Sequence, residues 1–191
     1  MVIKSTVPPR TCEQLNNKFL SVSIVFNPEF LTEKNPVEDF KNQDRIILGG
    51  NTEPVRQVAE IYSRAYPHVP IKTCGLTEAE MVKYFANCFL ATKVSFANEM
   101  YQICEKLKID YNIIKNLATL DKRLGSSHWS VPGLDQHLGF GGSCFPKDIN
   151  ALIAVAKELQ VNPMMLQAAW EKNLEVRPEK DWENLKGRAV L

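Results

Sequence analysis

The stretch Asp44-Arg45-Ile46-Ile47-Leu48-Gly49-Gly50-Asn51-Thr52-Glu53-Pro54 passes from β-branched to helical character within a few residues. Asp44 to Leu48 reads as a strand, and Thr52 with Pro54 opens a helix reaching about Tyr66, because proline suits a first helical turn. Pro70 to Cys74 then reads as the next strand. A strand, helix and strand in succession predict an α/β sheet, parallel or mixed. Upstream, Ser21 to Phe26 reads as a buried strand and Val2-Ile3 as a strand end.

Downstream, the character turns helical. Thr77 and Glu80 have the spacing of a capping box, and apolar residues continue to about Leu107. Tyr84, Phe85, Cys88, Phe89, Leu90, Val94 and Phe96 spread around most of the circumference, which predicts a helix buried on several sides. A helix this long often joins domains or subunits. Lys83 and Asn87, four residues apart, share one face, where an ammonium among apolar neighbours is costly unless paired or used.

Asp110 is placed to cap a further helix running to about Leu120. Asp121 to Ser143 is a long loop rich in Gly, Ser and Pro, the kind that is usually functional or disordered. Another helix runs from Pro163 to about Leu174, and Arg177-Pro178 breaks it. Lys186 to Leu191 begins a strand or trails off. The expected division is an α/β part over 1–75, a helical part over 76–176, and a tail or the start of a further domain over 177–191.

Composition narrows the function classes. The 191 residues are 45% hydrophobic, enough for a sizeable core, and the net charge of +1 comes without a basic block. Nucleic acid and membrane surfaces are therefore poor partners. No run approaches a membrane span, and the N-terminus lacks a secretory pattern. Five cysteines without paired spacing point to reduced thiols in the cytoplasm, and Cys12, Cys74, Cys88 and Cys104 read as packing residues. His68, His128 and His137 are not at metal-ligand spacings, so no metal is expected.

The chemistry concentrates in Gly139-Phe140-Gly141-Gly142-Ser143-Cys144, followed by Phe145-Pro146-Lys147-Asp148. Pro146 suits a first helical turn and Ile149 to Gln160 continue with helical spacing, so Cys144 stands where a glycine-rich loop becomes a helix. A helix N-terminus and a nearby ammonium such as that of Lys147 favour thiolate, the nucleophilic form. The glycines are expected to let a bulky polar substrate approach the backbone, with Asp148 one turn beyond the thiol. No Gly-x-Gly-x-x-Gly lies between a strand and a helix, so the α/β part reads as an incomplete dinucleotide-binding domain.

Four blocks in order, Lys4-Ser5-Thr6-Val7-Pro8, Asn27-Pro28-Glu29-Phe30-Leu31-x-Glu33, Lys83-x-x-x-Asn87 and the Gly139 to Asp148 run, resemble the nucleotide-sugar dehydrogenases that oxidise a sugar 6-alcohol to an acid. The loop Ser127-His128-Trp129-Ser130-Val131-Pro132-Gly133 is similar to that of members acting on UDP-glucose, which ranks UDP-glucose first as substrate and GDP-mannose second. The implied fold is an α/β partial Rossmann-like domain followed by an all-α central dimerisation domain with a long connecting helix. Relative to that family's full length, the chain lacks the part bearing the glycine fingerprint and a C-terminal UDP-binding domain. A non-catalytic assembly module is therefore the rival reading.

The resemblance implies NAD as cofactor, a homodimer through the central helix, and a cysteine nucleophile, Cys144. It implies Lys83 and Asn87 as stabilisers of developing negative charge, and Asp148, a Thr6-bound water and Glu29 as the proton-transfer and hydrolysis groups. Nucleotide-sugar binding would fall to Glu29, Phe30, Leu31, Glu33, Lys83, Asn87, Gly139, Phe140 and Gly141, with Arg123 reaching a neighbouring subunit's substrate. NAD binding would fall to Ser5, Thr6, Val7, Glu33 and Lys147.

Overall fold

A computed structural model describes residues 1–32 and 35–185. The chain forms two compact units that divide between Phe85 and Ala86, inside one long helix.

The first unit holds β1 (Val2–Ile3), α1 (Thr11–Lys18), β2 (Val25–Phe26), α2 (Pro36–Lys41), β3 (Ile46–Gly50), α3 (Thr52–Ala65), β4 (Ile71–Cys74) and the start of α4 (Leu76–Leu107). The sheet is mixed, in the order β1-β2-β3-β4: β1 and β2 are parallel, β2 and β3 antiparallel, β3 and β4 parallel. Alternation along the strands sorts the core into two layers. Phe26 and Ile47 pack with Cys12 of α1 and with Leu76 and Ala79 of α4. Val25, Ile46 and Leu48 pack instead with Val55, Val58 and Ala59 of α3.

Three expectations change here. β2 is only two residues long, because the backbone before it is used elsewhere: Val22 N–H donates to the Phe19 carbonyl at 3.0 Å and Ile24 N–H to the Asn16 side chain at 3.1 Å. There is no capping box at Thr77 and Glu80. α4 already begins at Leu76, with Ala79 N–H donating to the Gly75 carbonyl at 3.1 Å. Glu80, fully buried, caps a different helix, accepting from Arg10 N–H at 2.6 Å and Cys12 N–H at 2.8 Å at the start of α1. Nor is α4 covered all round in this chain, since Phe85, Phe89 and Phe96 are 73%, 62% and 51% exposed.

The second unit contains the rest of α4, α5 (Tyr111–Ala118), α6 (Cys144–Glu158), α7 (Met164–Val176) and short 3-10 turns at Lys122–Leu124 and Asp181–Asn184. Asp110 caps α5 as its spacing predicts, accepting from Asn112 N–H at 2.7 Å. Ala97, Cys104, Tyr111 and Val131 form one core cluster. Trp170 lies against both Phe140 and Trp182 in a second, aromatic one. The tail expected from 177 onward is packed as far as it is described: Arg177 and Trp182 are buried. The expectation for Lys186 to Leu191 falls outside the described residues. Among the described residues no helix is long and apolar enough to cross a membrane.

Candidate active site

In the second unit Cys144 is the first residue of α6, and Pro146 sits in its first turn, as the sequence predicts. The thiol is half-buried, with Sγ 3.8 Å from Ser143 Oγ. One turn further on, Asp148 is fully buried. Asn87 Nδ2 donates to its Oδ2 at 2.6 Å, and Lys147 pairs with its other oxygen. These donors satisfy both oxygens of a carboxyl group that would be costly to bury without partners. Burial, followed by the charge of Asp148, pushes the neighbouring Cys88 thiol up to about 12, so Cys88 is inert packing.

The loop leading to Cys144 is tied down at successive residues. Gly139 N–H donates to Asn98 Oδ1 at 3.1 Å, Phe140 N–H to Asn173 Oδ1 at 2.7 Å, and Gly142 N–H to Asp181 Oδ2 at 2.9 Å. Asn173 Nδ2 returns a bond to the Phe140 carbonyl at 2.9 Å. At two of the glycines the missing side chain also makes room within the fold. Gly139 has φ of +67°, and a Cβ there would lie 2.4 Å from Asn173 Oδ1. At Gly141 a Cβ would lie 2.2 Å from the Arg177 guanidinium. The chain's own side chains occupy the space that the missing side chains leave.

In the first unit the chain leaves the carboxyl end of β1 through Lys4, Ser5, Thr6 and Val7. Ser5 is exposed, Thr6 is half-buried and Val7 packs on the core. Lys83, only 7% exposed, donates from Nζ to the backbone carbonyl of Glu29 at 2.7 Å and lies 5.5 Å from the centre of the Phe30 ring. Its burial is thus compensated. The Glu29 carboxylate is 44% exposed and 3.9 Å from Lys4 Nζ, which also donates to Asn27 Oδ1 at 3.0 Å and Tyr62 OH at 3.3 Å. Phe30 carries the Arg45 guanidinium 4.2 Å above its ring. Lys4, Glu29, Phe30, Leu31 and Arg45 line a cleft of about 500 Å³.

The predicted residues thus fall into two clusters, Lys83 with Glu29 and Phe30, and Asn87 with Lys147 and Asp148 one turn from Cys144. Lys83 and Asn87 stand one turn apart on α4. Arg123 joins neither: its side chain is 88% exposed and forks onto Asp121 of its own turn. Glu33 lies outside the described residues. Sequence reasoning missed Asn98, Asn173, Arg177 and Asp181. The last three recur every fourth residue, a spacing that marks one face of a turn of helix. Among the described residues no cluster of His, Cys, Asp or Glu is arranged to hold a metal.

Residues 77–175 match the profile described as UDP-glucose/GDP-mannose dehydrogenase family, central domain, and residues 1–66 that of the same family's NAD binding domain. The chain belongs to the UDP-glucose/GDP-mannose dehydrogenase family. It is 42% identical over 189 residues to a UDP-glucose 6-dehydrogenase of Rickettsia bellii, covering 92% of this chain and 41% of that protein. With the UDP-glucose 6-dehydrogenase AglM of Haloferax volcanii it shares 38% identity over its whole length, 46% of the relative's. Among solved structures, a UDP-glucose dehydrogenase from Pyrobaculum islandicum superposes with a TM-score of 0.81 at 36% identity, covering 98% of this chain and 43% of that one. The chain thus spans less than half the length of these family members.

Proposed function

We propose that this chain carries the central catalytic residues of an NAD-dependent UDP-glucose 6-dehydrogenase, converting UDP-glucose to UDP-glucuronate. The observation that carries the reading is Cys144 at the first position of α6 with Asp148 buried one turn beyond it and held by Asn87. Support for the substrate comes from the relatives. Those named as UDP-glucose dehydrogenases match at 36–42% identity, whereas a GDP-mannose dehydrogenase from Pseudomonas aeruginosa superposes with a TM-score of 0.56 at 27%.

In this scheme Cys144 Sγ adds to the sugar aldehyde carbon, forming a C–S bond as the carbonyl oxygen becomes the hydroxyl of a thiohemiacetal. Loss of hydride from that carbon leaves a thioester, and water then breaks the C–S bond, releasing carboxylate and returning the thiol. When bound, NAD would supply the hydride acceptor for both the alcohol and the thiohemiacetal stages. Asn87 and Lys83 stabilise oxygen as it becomes negative, a fixed amide and ammonium doing this better than mobile water. Asp148 takes and returns the proton. Glu29, in contact with solvent, and Thr6 orient the hydrolytic water.

Phe30, Leu31, Glu33, Gly139, Phe140 and Gly141 bind the nucleotide sugar in this reading. The donor set at the end of β1 fits a dinucleotide. Ser5, Thr6 and Val7 leave a strand's carboxyl end, where open α/β sheets bind such ligands, and Ser5 is exposed there. Glu33 and Lys147 complete that assignment. We assign a homodimer through α4, supported by its exposed Phe85, Phe89 and Phe96, with Arg123 reaching the neighbouring copy's substrate. The five free thiols accord with a cytoplasmic setting.

The test is incubation with UDP-glucose and NAD, reading NADH and a trapped thioester on Cys144, with GDP-mannose in parallel. Turnover by the parent and none by Cys144→Ser is the expected result. Equal, absent signals in both, with no NAD heat by calorimetry but a dimer in solution, replace this reading with that of an assembly module.

A further inference from the structure

Arg177 sits at the end of α7 with its side chain 4% exposed, yet it spans three pieces of chain. Nε donates to Asp181 Oδ1 at 2.7 Å, and Nη1 donates to Asp135 Oδ2 at 2.7 Å and to the Leu138 carbonyl at 3.4 Å. Asp181 uses its second oxygen to accept Gly142 N–H, two residues before Cys144. The guanidinium fills the space beside Gly141, where any side chain would collide with it. Burial, the largest single influence, works to raise both carboxyls, and the Arg177 hydrogen bond and charge together with backbone N–H donors outweigh it, leaving Asp135 and Asp181 below the ordinary carboxylate range.

A buried ion pair by itself is weak evidence of stabilisation, because desolvation offsets most of the attraction. Geometry is what this one supplies. Asp181 has its direction fixed by Arg177, and Arg177 has its own fixed by Asp135. The backbone that delivers Cys144 to the start of α6 is thereby held at Gly142.

We propose that Arg177 and Asp181 are positioning residues for the Cys144 thiol, acting through the Gly142 amide. The claim rests on the reading of Cys144 as a nucleophile and adds residues from beyond α7 to its support. Neither side chain reaches the reacting atoms in this proposal. Their work is to keep the first turn of α6 ordered around the sulfur.

The experiment needs no turnover. Iodoacetamide alkylation of Cys144 is followed by peptide mass spectrometry, with the half-buried Cys74 of the other unit as internal reference. Amide hydrogen exchange at Gly142 is measured alongside. In the parent, Cys144 reacts faster than Cys74. Asp181→Ala removes the protection of Gly142 and slows Cys144 relative to Cys74 by about three- to tenfold, the scale of one lost hydrogen bond.

Asp181→Asn keeps an oxygen for Gly142 but not the charge toward Arg177, so it gives a smaller change in the same direction, and it serves alone if the alanine variant does not fold. A merely structural role lowers the melting temperature and leaves the Cys144 to Cys74 ratio unmoved, which overturns the proposal. So does lost Gly142 protection with an unchanged or faster Cys144. A parent in which Cys144 reacts no faster than Cys74 overturns the nucleophile reading itself, a separate and earlier failure.

Discussion

Both units bury a carboxylate on or against α4, and the two have opposite kinds of partner. In the first, Glu80 is sealed from solvent and spent on the backbone of α1, while the candidate chemical carboxylate, Glu29, stands 44% exposed beside Lys4. In the second, the sealed carboxylate is Asp148, and its partners are side chains of Asn87 and Lys147 rather than backbone. Burial alone therefore does not mark a chemical group. What separates the two is the partner. A carboxylate saturated by main-chain N–H groups serves the fold, whereas one held by side chains next to a half-buried thiol is the one the proposed function assigns to proton transfer.

The sharpest way to break this contrast is Glu80→Ala. It orphans the Arg10 and Cys12 amides at the start of α1, and chemical denaturation should show a loss of about 2–4 kcal/mol. A change under about 1 kcal/mol would put Glu80 in the same class as a surface acid. Next in size is Asn173→Ala, which strips both bonds from Phe140 and should cost roughly 2–3 kcal/mol, with faster amide exchange at Phe140 as the local signature.

Acidification tests the second unit more gently. Because Arg177 holds Asp135 and Asp181 below the usual carboxylate range, their contribution is complete above the unfolded value and is lost as pH falls through the lowered folded one. His128, held below the ordinary imidazole value by burial and then by Lys93, adds a loss of the same sign at milder pH, between its lowered value and the usual 6.5. Thermal melts between neutral pH and pH 3 should fall in those two stages, and Asp135→Asn should flatten the acid one. Smallest of all is Glu29→Gln, expected to move stability by no more than about 0.5 kcal/mol because its ion pair is half in solvent. The same variant should stop thioester hydrolysis, so acyl-enzyme would accumulate on Cys144.

Local chemistry explains what was legible in the sequence. β3, α3 and β4 lie within one or two residues of their expected positions, since Asn51-Thr52-Glu53-Pro54 carries its helix start within itself. Asp110 caps α5 and Cys144 opens α6 for the same reason. Failures came where the deciding partner lay outside the stretch whose pattern was read. Glu80 had the right spacing to serve Thr77, and the competing donors lie some seventy residues away at Arg10 and Cys12. β2 is short because Asn16 and Phe19 claim its preceding amides.

At the candidate site the cysteine and its aspartate were readable, and the reason for the glycines was not. Gly139 and Gly141 read only as room for a ligand, and the packing of Asn173 and Arg177 against them was not visible. Those residues lie beyond α6, in and just past a helix whose end looked like the start of a tail. Their four-residue recurrence with Asp181 was visible but carried no meaning without the loop it grips.

Two of the three tryptophans, Trp170 and Trp182, stand 5.2 Å apart, and Trp170 also leans on Phe140, inside the glycine run. Their ultraviolet emission therefore originates next to the backbone that ends in the sulfur. The molecule carries its own optical gauge of that corner, readable in solution without a dye.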